Sequence, residues 1–204
     1  LTTLIGAGSY TIFYLAQHLQ LLPVSVIGMA FGQAALPYLS EIYQEKRIED
    51  FKKVVINSIL NLFFLTIPIA SFFVFARTPL IRLFFGGQKF DWAATVQTAI
   101  TLSYFAFSIP AHTIYYFLTR CFYAFLDSRT PFIISLITIF INTLLSVFFV
   151  FFLQLPVWSL AISFSIAIFL NVSLLFLLLC IKLKGIDYHF FLIETLRMIA
   201  ASLI

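Results

Sequence analysis

The chain has 204 residues, of which 62% are hydrophobic and 10% charged, and its formal net charge is +4. Soluble globular domains carry about 45–50% apolar residues and roughly 25% charge, so this composition excludes that class and leaves a polytopic helical membrane protein. So small a positive balance gives no argument for nucleic acid; what matters is where Lys and Arg fall along the chain.

A spanning helix needs about 20 mostly apolar residues. Residues 1–7 read as the tail of an earlier helix, and the first full span is expected at 9–38, with Pro23 inside it. Apolar runs predict further spans at 54–76, at 93–126 with Pro110 inside, at 131–153 and at 157–181. A sixth starts near residue 188 and is cut off in progress at "LRMIAASLI". The chain opens on Leu1, and no basic region precedes a short apolar stretch, so no signal peptide is expected and the sequence reads as a piece of a longer protein. The expected fold class is all-α, a polytopic membrane bundle of about six helices.

The connections hold most of the charge. Successive loops alternate sides, so Lys46, Arg47, Lys52, Lys53, Arg120, Arg129, Lys182 and Lys184 collect on one side, eight in all, against Arg77, Arg82 and Lys89 on the other. The positive-inside rule makes the first side cytoplasmic. "RLFFGGQKFD" has a Gly86-Gly87 turn and is expected to lie along the outer interface, and Trp92 and Trp158 fall at expected outer ends, where amphipathic rings are favoured.

Thr11, His18 and Ser25 are spaced i, i+7, i+14 and so share one helical stripe, with Tyr14 beside them. The stripe precedes Pro23, which removes a backbone donor and permits a kink. Ionisable groups inside a membrane face the bundle interior or a water-filled cavity. A neutral histidine bonded to a neighbouring helix is the plainer reading of His18, but a polar run along the whole stripe favours cavity lining. Gln17 and Gln20 point elsewhere and suit interhelical bonds. Gly28 and Gly32 form a G-x-x-x-G, which lets two helix backbones approach closely.

"CFYAFLDSRTP" reads as an interfacial turn: Asp127 can cap or accept, Arg129 is basic, and Thr130-Pro131 supplies an N-cap and first-turn pair. Arg120 can snorkel to the phosphates. His112, after Pro110, either lines a cavity or is packed. Asn142 with Ser146, and Ser159 with Ser163, are i, i+4 pairs whose oxygens either hold a cation or bond across helices. Cys121 and Cys180 stand alone in apolar runs, which suits structural thiols rather than a metal or disulfide site. No Ser-His-Asp set, metal cluster or phosphate-cradling glycine loop is seen, so neither catalysis nor a cofactor is expected.

The blocks "GSYTIFYLAQHLQLLPVSVIGMAFGQAALPYLS", "PLIRLFFGGQKF" and "RCFYAFLDSRTP", in that order and separation, resemble the MurJ (MviN) family of lipid II flippases, within the multidrug/oligosaccharidyl-lipid/polysaccharide exporter superfamily. The resemblance implies two six-helix lobes around a central cavity plus a terminal pair. Residues 1–183 would be the second lobe, from the end of the seventh helix through the twelfth, and 184–204 a loop and the start of the next helix. It further implies a bacterial cytoplasmic-membrane protein that moves an undecaprenyl-pyrophosphate-linked glycan to the outer leaflet by alternating access. Its partners would be that substrate, membrane lipids and the first lobe of the same protein. The family pattern before the proline reads A-x-R-L-x-x-x-P. Ala16, Leu19 and Pro23 match, while His18 stands where the phosphate-binding arginine is expected and Leu21 where some members carry an acid. Histidine titrates near about pH 6.5 and is no bidentate clamp. The resemblance places Thr11 at a cavity-facing small polar position and matches Asn142 to a sodium ligand of some members. The acid expected one turn later is Ser146, so sodium coupling is not implied. Two other functions remain: transport of another polyprenyl-linked glycan or a drug cation, and a membrane scaffold for cell-wall enzymes.

Overall fold

In hydrocarbon a helix satisfies its own backbone, and long apolar runs without period-2 alternation take that solution. A computed structural model describes residues 8–86 and 91–183, and there the chain forms six helices: α1 Ser9–Gln44, α2 Ile48–Phe75, α3 Arg77–Phe85, α4 Trp92–Ala124, α5 Arg129–Phe152 and α6 Trp158–Leu183. The opening tail, the span expected from about residue 188 and the rest of 184–204 lie outside the described residues.

Four helices, α1, α2, α5 and α6, are long and apolar enough to cross a membrane. The short α3 covers residues 82–85 of the stretch expected along an interface, with Ile81 buried and Leu83 exposed, while 87–90, with the second glycine of the expected turn, lie outside the described residues. The third expected span is α4, with 33 residues the longest uninterrupted α-helix and about 50 Å long. It is less apolar because it is the centre of the bundle: every other helix packs on it. Its hydroxyls turn back on their own helix, Thr98 on Ala94 O at 2.7 Å, Thr113 on Ile109 O at 2.8 Å and Thr119 on Tyr115 O at 2.8 Å. These hydroxyls are thereby satisfied without water.

Pro23 does not end its helix. The chain runs on through a π-helical stretch, Val24–Met29, before returning to α-helix at Ala30. Proline offers no N–H to the Leu19 carbonyl and its ring crowds that oxygen, and a wider turn relieves both. Across the widened turn Gly28 and Gly32 meet α4. A Cβ on Gly28 would stand 3.0 Å from Thr113 Cα, and one on Gly32 would stand 3.2 Å from Tyr116 O.

Helix ends sort by charge. Tyr43, Lys52, Phe125 and Lys182 line one cavity of ≈ 450 Å³, which gathers the ends of α1, α4 and α6 with the start of α2. At the other end Arg77 donates to Ser103 Oγ at 3.1 Å, and the Arg82 guanidinium sits 5.0 Å over the Trp92 ring. Trp158 packs on Tyr104 with ring centroids 5.4 Å apart.

Candidate functional site

The faces turned away from the bundle differ in chemistry. On α5 the large exposed hydrophobic side chains are Phe132, Ile133, Leu136, Ile137, Ile139, Phe140, Leu144, Phe148, Phe151 and Phe152, and the exposed Thr143 hydroxyl turns back to Ile139 O at 2.9 Å. On the first half of α1, Tyr10, Thr11, Tyr14 and His18 are all exposed. Apolar side chains belong against acyl chains, whereas exposed hydroxyls and an imidazole with a ring nitrogen free of the protein belong against water.

The α1 face is ordered along its length. Tyr10 and Tyr14 stack with centroids 5.8 Å apart at 26°, and the His18 ring lies 3.9 Å from that of Tyr14. His18 Nδ1 is 3.0 Å from Tyr14 O. A carbonyl only accepts, so Nδ1 carries the proton of this bond, and Nε2 is the atom left for a ligand. Neutral, Nε2 accepts; on the imidazolium it donates. Ser25, the third member of the expected stripe, is half-buried and donates to Leu22 O at 3.0 Å. From Tyr10 the exposed positions recur at every fourth residue, through Tyr14, His18, Leu22, Val26 and Ala30, so past His18 the exposed line turns apolar and leaves Ser25 aside.

On the opposite side of α1, Gln20 is fully buried and donates from Nε2 to Ser108 Oγ at 3.3 Å and to His112 Nδ1 at 3.2 Å. His112 stacks on Tyr116, 5.4 Å and 16°, and packs edge-on to Phe164. A groove of ≈ 170 Å³ opens beside it, lined among others by Tyr115, Ser135, Thr138, Asn142 and Asn171. Asn171 is the residue whose part sequence reasoning missed: it is buried, donates to Thr138 Oγ1 at 2.8 Å, and leaves its Oδ1 without a partner. Only its place in the middle of an apolar run could have marked it.

Of the two oxygen-bearing pairs, the structure joins three members. Ser146 and Ser163 share a hydrogen bond at 2.7 Å, and Ser146 Oγ donates to Asn142 Oδ1 at 3.4 Å. Ser159 is buried on the same face of α6 as Ser163, with its hydroxyl unpaired. No carboxylate joins this group among the described residues.

The turn after α4 is held differently from the expected N-cap at Thr130. Helix α5 begins at Arg129, and Thr130 donates instead of accepting: its N and Oγ1 both bond the Asp127 carboxylate, at 3.1 and 2.8 Å. An ionised carboxylate is the stronger acceptor, so it takes the capping role. Lys182 at the end of α6 donates to the same carboxylate at 2.8 Å. With that bond foremost, the Asp127 carboxyl is pulled down to about 2. Pro131 is buried in the first turn, Arg129 is exposed, and Arg120 lies 5.4 Å from the Tyr123 ring and beside Gly32.

Comparison with known proteins bears on this site. A family model described as lipid II flippase MurJ matches residues 1–204. A probable lipid II flippase MurJ of Rickettsia prowazekii is 30% identical over 169 residues, 83% of this chain and 33% of that protein. One of Bdellovibrio bacteriovorus is 28% identical over 195 residues, 96% of this chain and 37% of that protein. The chain therefore spans about a third of the length of these relatives. A solved structure, lipid II flippase MurJ in an inward closed conformation, superposes with a TM-score of 0.79 over 96% of this chain and 39% of that one. At 24% identity that likeness speaks to the fold.

Proposed function

Because the chain belongs to the lipid II flippase MurJ family, we propose that it forms the second lobe of a flippase in the bacterial cytoplasmic membrane, with residues 1–183 as the six-helix unit and 184–204 leading into the next helix. The cargo is a polyprenyl-diphosphate-linked glycan of the lipid II type, carried from inner to outer leaflet by alternating access against the first lobe of the same protein. One observation carries this reading: the face of α1 that bears Tyr10, Thr11, Tyr14 and His18 is polar where every large side chain exposed along the middle of α5 is apolar.

The residues supply binding and no bond-making. Thr11 and Tyr14 offer hydroxyls, and the His18 imidazolium offers one N–H from Nε2 to a diphosphate oxygen. In a cavity of reduced dielectric that single charged bond is worth more than in water. It remains one-pronged, so a second cationic group from the rest of the protein completes the clamp. Among the described residues, α1 from Ser9 to Gln33 carries no carboxylate, which favours an anionic cargo over a drug cation.

The test is depletion of the native flippase in a rod-shaped bacterium that expresses the full-length parent of this chain. Survival with normal shape is expected, and His18→Ala weakens rescue. Lysis despite good membrane expression overturns the reading. Substrate-dependent protection of a thiol placed at Thr11 separates a transporter from a scaffold, which gives none.

A further inference from the structure

The buried Gln20–His112 contact lies on the side of α1 turned away from Tyr10, Tyr14 and His18, outside the path assigned to the cargo. Its hydrogen bonds have one consistent assignment. Ser108 Oγ gives its own hydrogen to Phe105 O at 2.7 Å, so it accepts from Gln20 Nε2. The second Nε2 hydrogen points at His112 Nδ1, which must therefore be a bare lone pair on a neutral ring. Gln20 Oε1 is left unpartnered although the residue is 0% exposed.

A proton on Nδ1 inverts this pattern. The ring nitrogen then donates, Gln20 Nε2 can no longer face it, and turning the amide over brings the orphaned Oε1 to the new N–H. The amide's two orientations have nearly the same shape, so the proton alone decides between them. Tyr116, stacked face to face on the imidazole, offers a π surface that attracts the cationic ring.

We propose that His112 is a proton-binding site inside the bundle and that Gln20 reads its occupancy. The proton enters from water through the groove beside His112, adds to the Nδ1 lone pair and leaves the same way; the amide turn gives up both Nε2 contacts, an Nδ1–H···Oε1 contact replaces one, and the Ser108 hydroxyl turns its hydrogen from Phe105 O to Oε1 to replace the other. The titratable groups facing the ring are Tyr115 and Tyr116 of its own helix. Helix α1 presents Gln20, α5 presents Ser135, Thr138 and Asn142, and α6 presents Phe164 and Asn171, none of which ionises. Gln20 stands one turn before Pro23 and the π stretch, where α1 is least tightly wound. A change of partner there moves α1 against α4. The inference goes beyond the transport reading and holds whatever the cargo.

The test uses the full-length protein in lipid nanodiscs with spin labels at Val26→Cys and Phe107→Cys, two exposed positions on α1 and α4. Lowering the pH from about 9 to about 4, across the imidazole range, is expected to shift the label separation by about 2 Å in a one-proton transition. His112→Gln and Gln20→Leu are each expected to hold the separation constant, and whichever variant elutes as a monodisperse species decides. A constant separation in the parent overturns the site, and so does a shift that persists in either folded variant. Rescue of a flippase-depleted strain is scored apart. Rescue with a constant separation defeats the proton site alone, and a shift without rescue defeats the flippase reading alone.

Discussion

Lys182 and Asp127, 55 residues apart in sequence, meet at 2.8 Å and tie the end of α6 to the turn between α4 and α5. The same lysine lies 5.0 Å from the Phe125 ring, and its charge suits the C-terminal end of a helix. One carboxylate thus caps α5 and fastens α6.

That carboxyl is held below its ordinary 3.8, at about 2, first by the Lys182 bond and then by Thr130. A depressed folded pKa contributes stability that is complete above the unfolded value and is lost as pH falls through the folded one. Thermal unfolding of the solubilised full-length protein is therefore expected to lose this contribution between about pH 4 and pH 2. Asp127→Asn removes that pH dependence, and Asp127→Ala also removes the cap, at a further cost of about 1 kcal/mol.

The glycine contacts make a steric prediction. Gly28→Ala puts a methyl group 3.0 Å from Thr113 Cα, a backbone atom that cannot swing aside. A loss of about 1–3 kcal/mol is expected, read as a lower melting temperature, and Gly28→Leu should prevent assembly. At Gly32 a methyl group would stand 3.2 Å from Tyr116 O and 3.3 Å from the flexible Arg120 side chain, so Ala there is milder. An unchanged melting temperature for Gly28→Ala refutes the contact.

The two outward faces are distinguished by labelling. Thiols placed at Thr11 and His18 should react with a membrane-impermeant maleimide in intact vesicles of the full-length protein, while thiols at Leu136 and Phe140 should not. Equal, slow reaction at all four positions removes the hydrated face.

Replacing His18 measures how much it binds. His18→Phe keeps the ring stack on Tyr14 and deletes the nitrogen donor, so affinity for a polyprenyl diphosphate should fall about tenfold, the worth of one charged hydrogen bond. His18→Arg should at least restore it, because a guanidinium adds a second prong.

Sodium offers a contrast. Ser146 and Ser163 bond each other, so replacing sodium by potassium should leave rescue unchanged. Ser146→Asp supplies the missing charge beside Asn142 and Ser163, and a new sodium dependence is expected from that variant.

Helix number and order were legible because each span is an apolar run interrupted by charge, and a span needs no tertiary information to declare itself. The boundaries moved at the charged loop between α1 and α2: α1 runs on to Gln44 and α2 begins at Ile48, where charged residues extend both past their apolar runs. The turn chemistry was legible as a cluster but not as a circuit, since nothing local says that Lys182 approaches Asp127. Thr130 was misread for the same reason, because a remote lysine helps make the aspartate the acceptor. The polar stripe of α1 was readable to His18. Past His18 the exposed line advances by four residues to Leu22 and Val26 instead of by seven to Ser25. The Gln20–His112 contact joins residues 92 apart, a pairing no periodicity reports.

The widened turn at Val24–Met29 also sets the phase of everything after it. From Ala16 to Gly32 a uniform α-helix would rotate about 160° out of alignment, yet both residues are buried on the same flank. The slack turn absorbs most of that drift. Deleting one residue between 24 and 29 would let the stretch take ordinary pitch with the downstream half still in phase, because fifteen steps of about 100° bring Gly32 to nearly the angle that sixteen steps reach across the slack turn. Forcing ordinary pitch on the stretch at its present length would instead swing the downstream half by about 100° and lift Gly28 and Gly32 from their seat on α4, so pitch and length together keep the two halves of the helix facing one way.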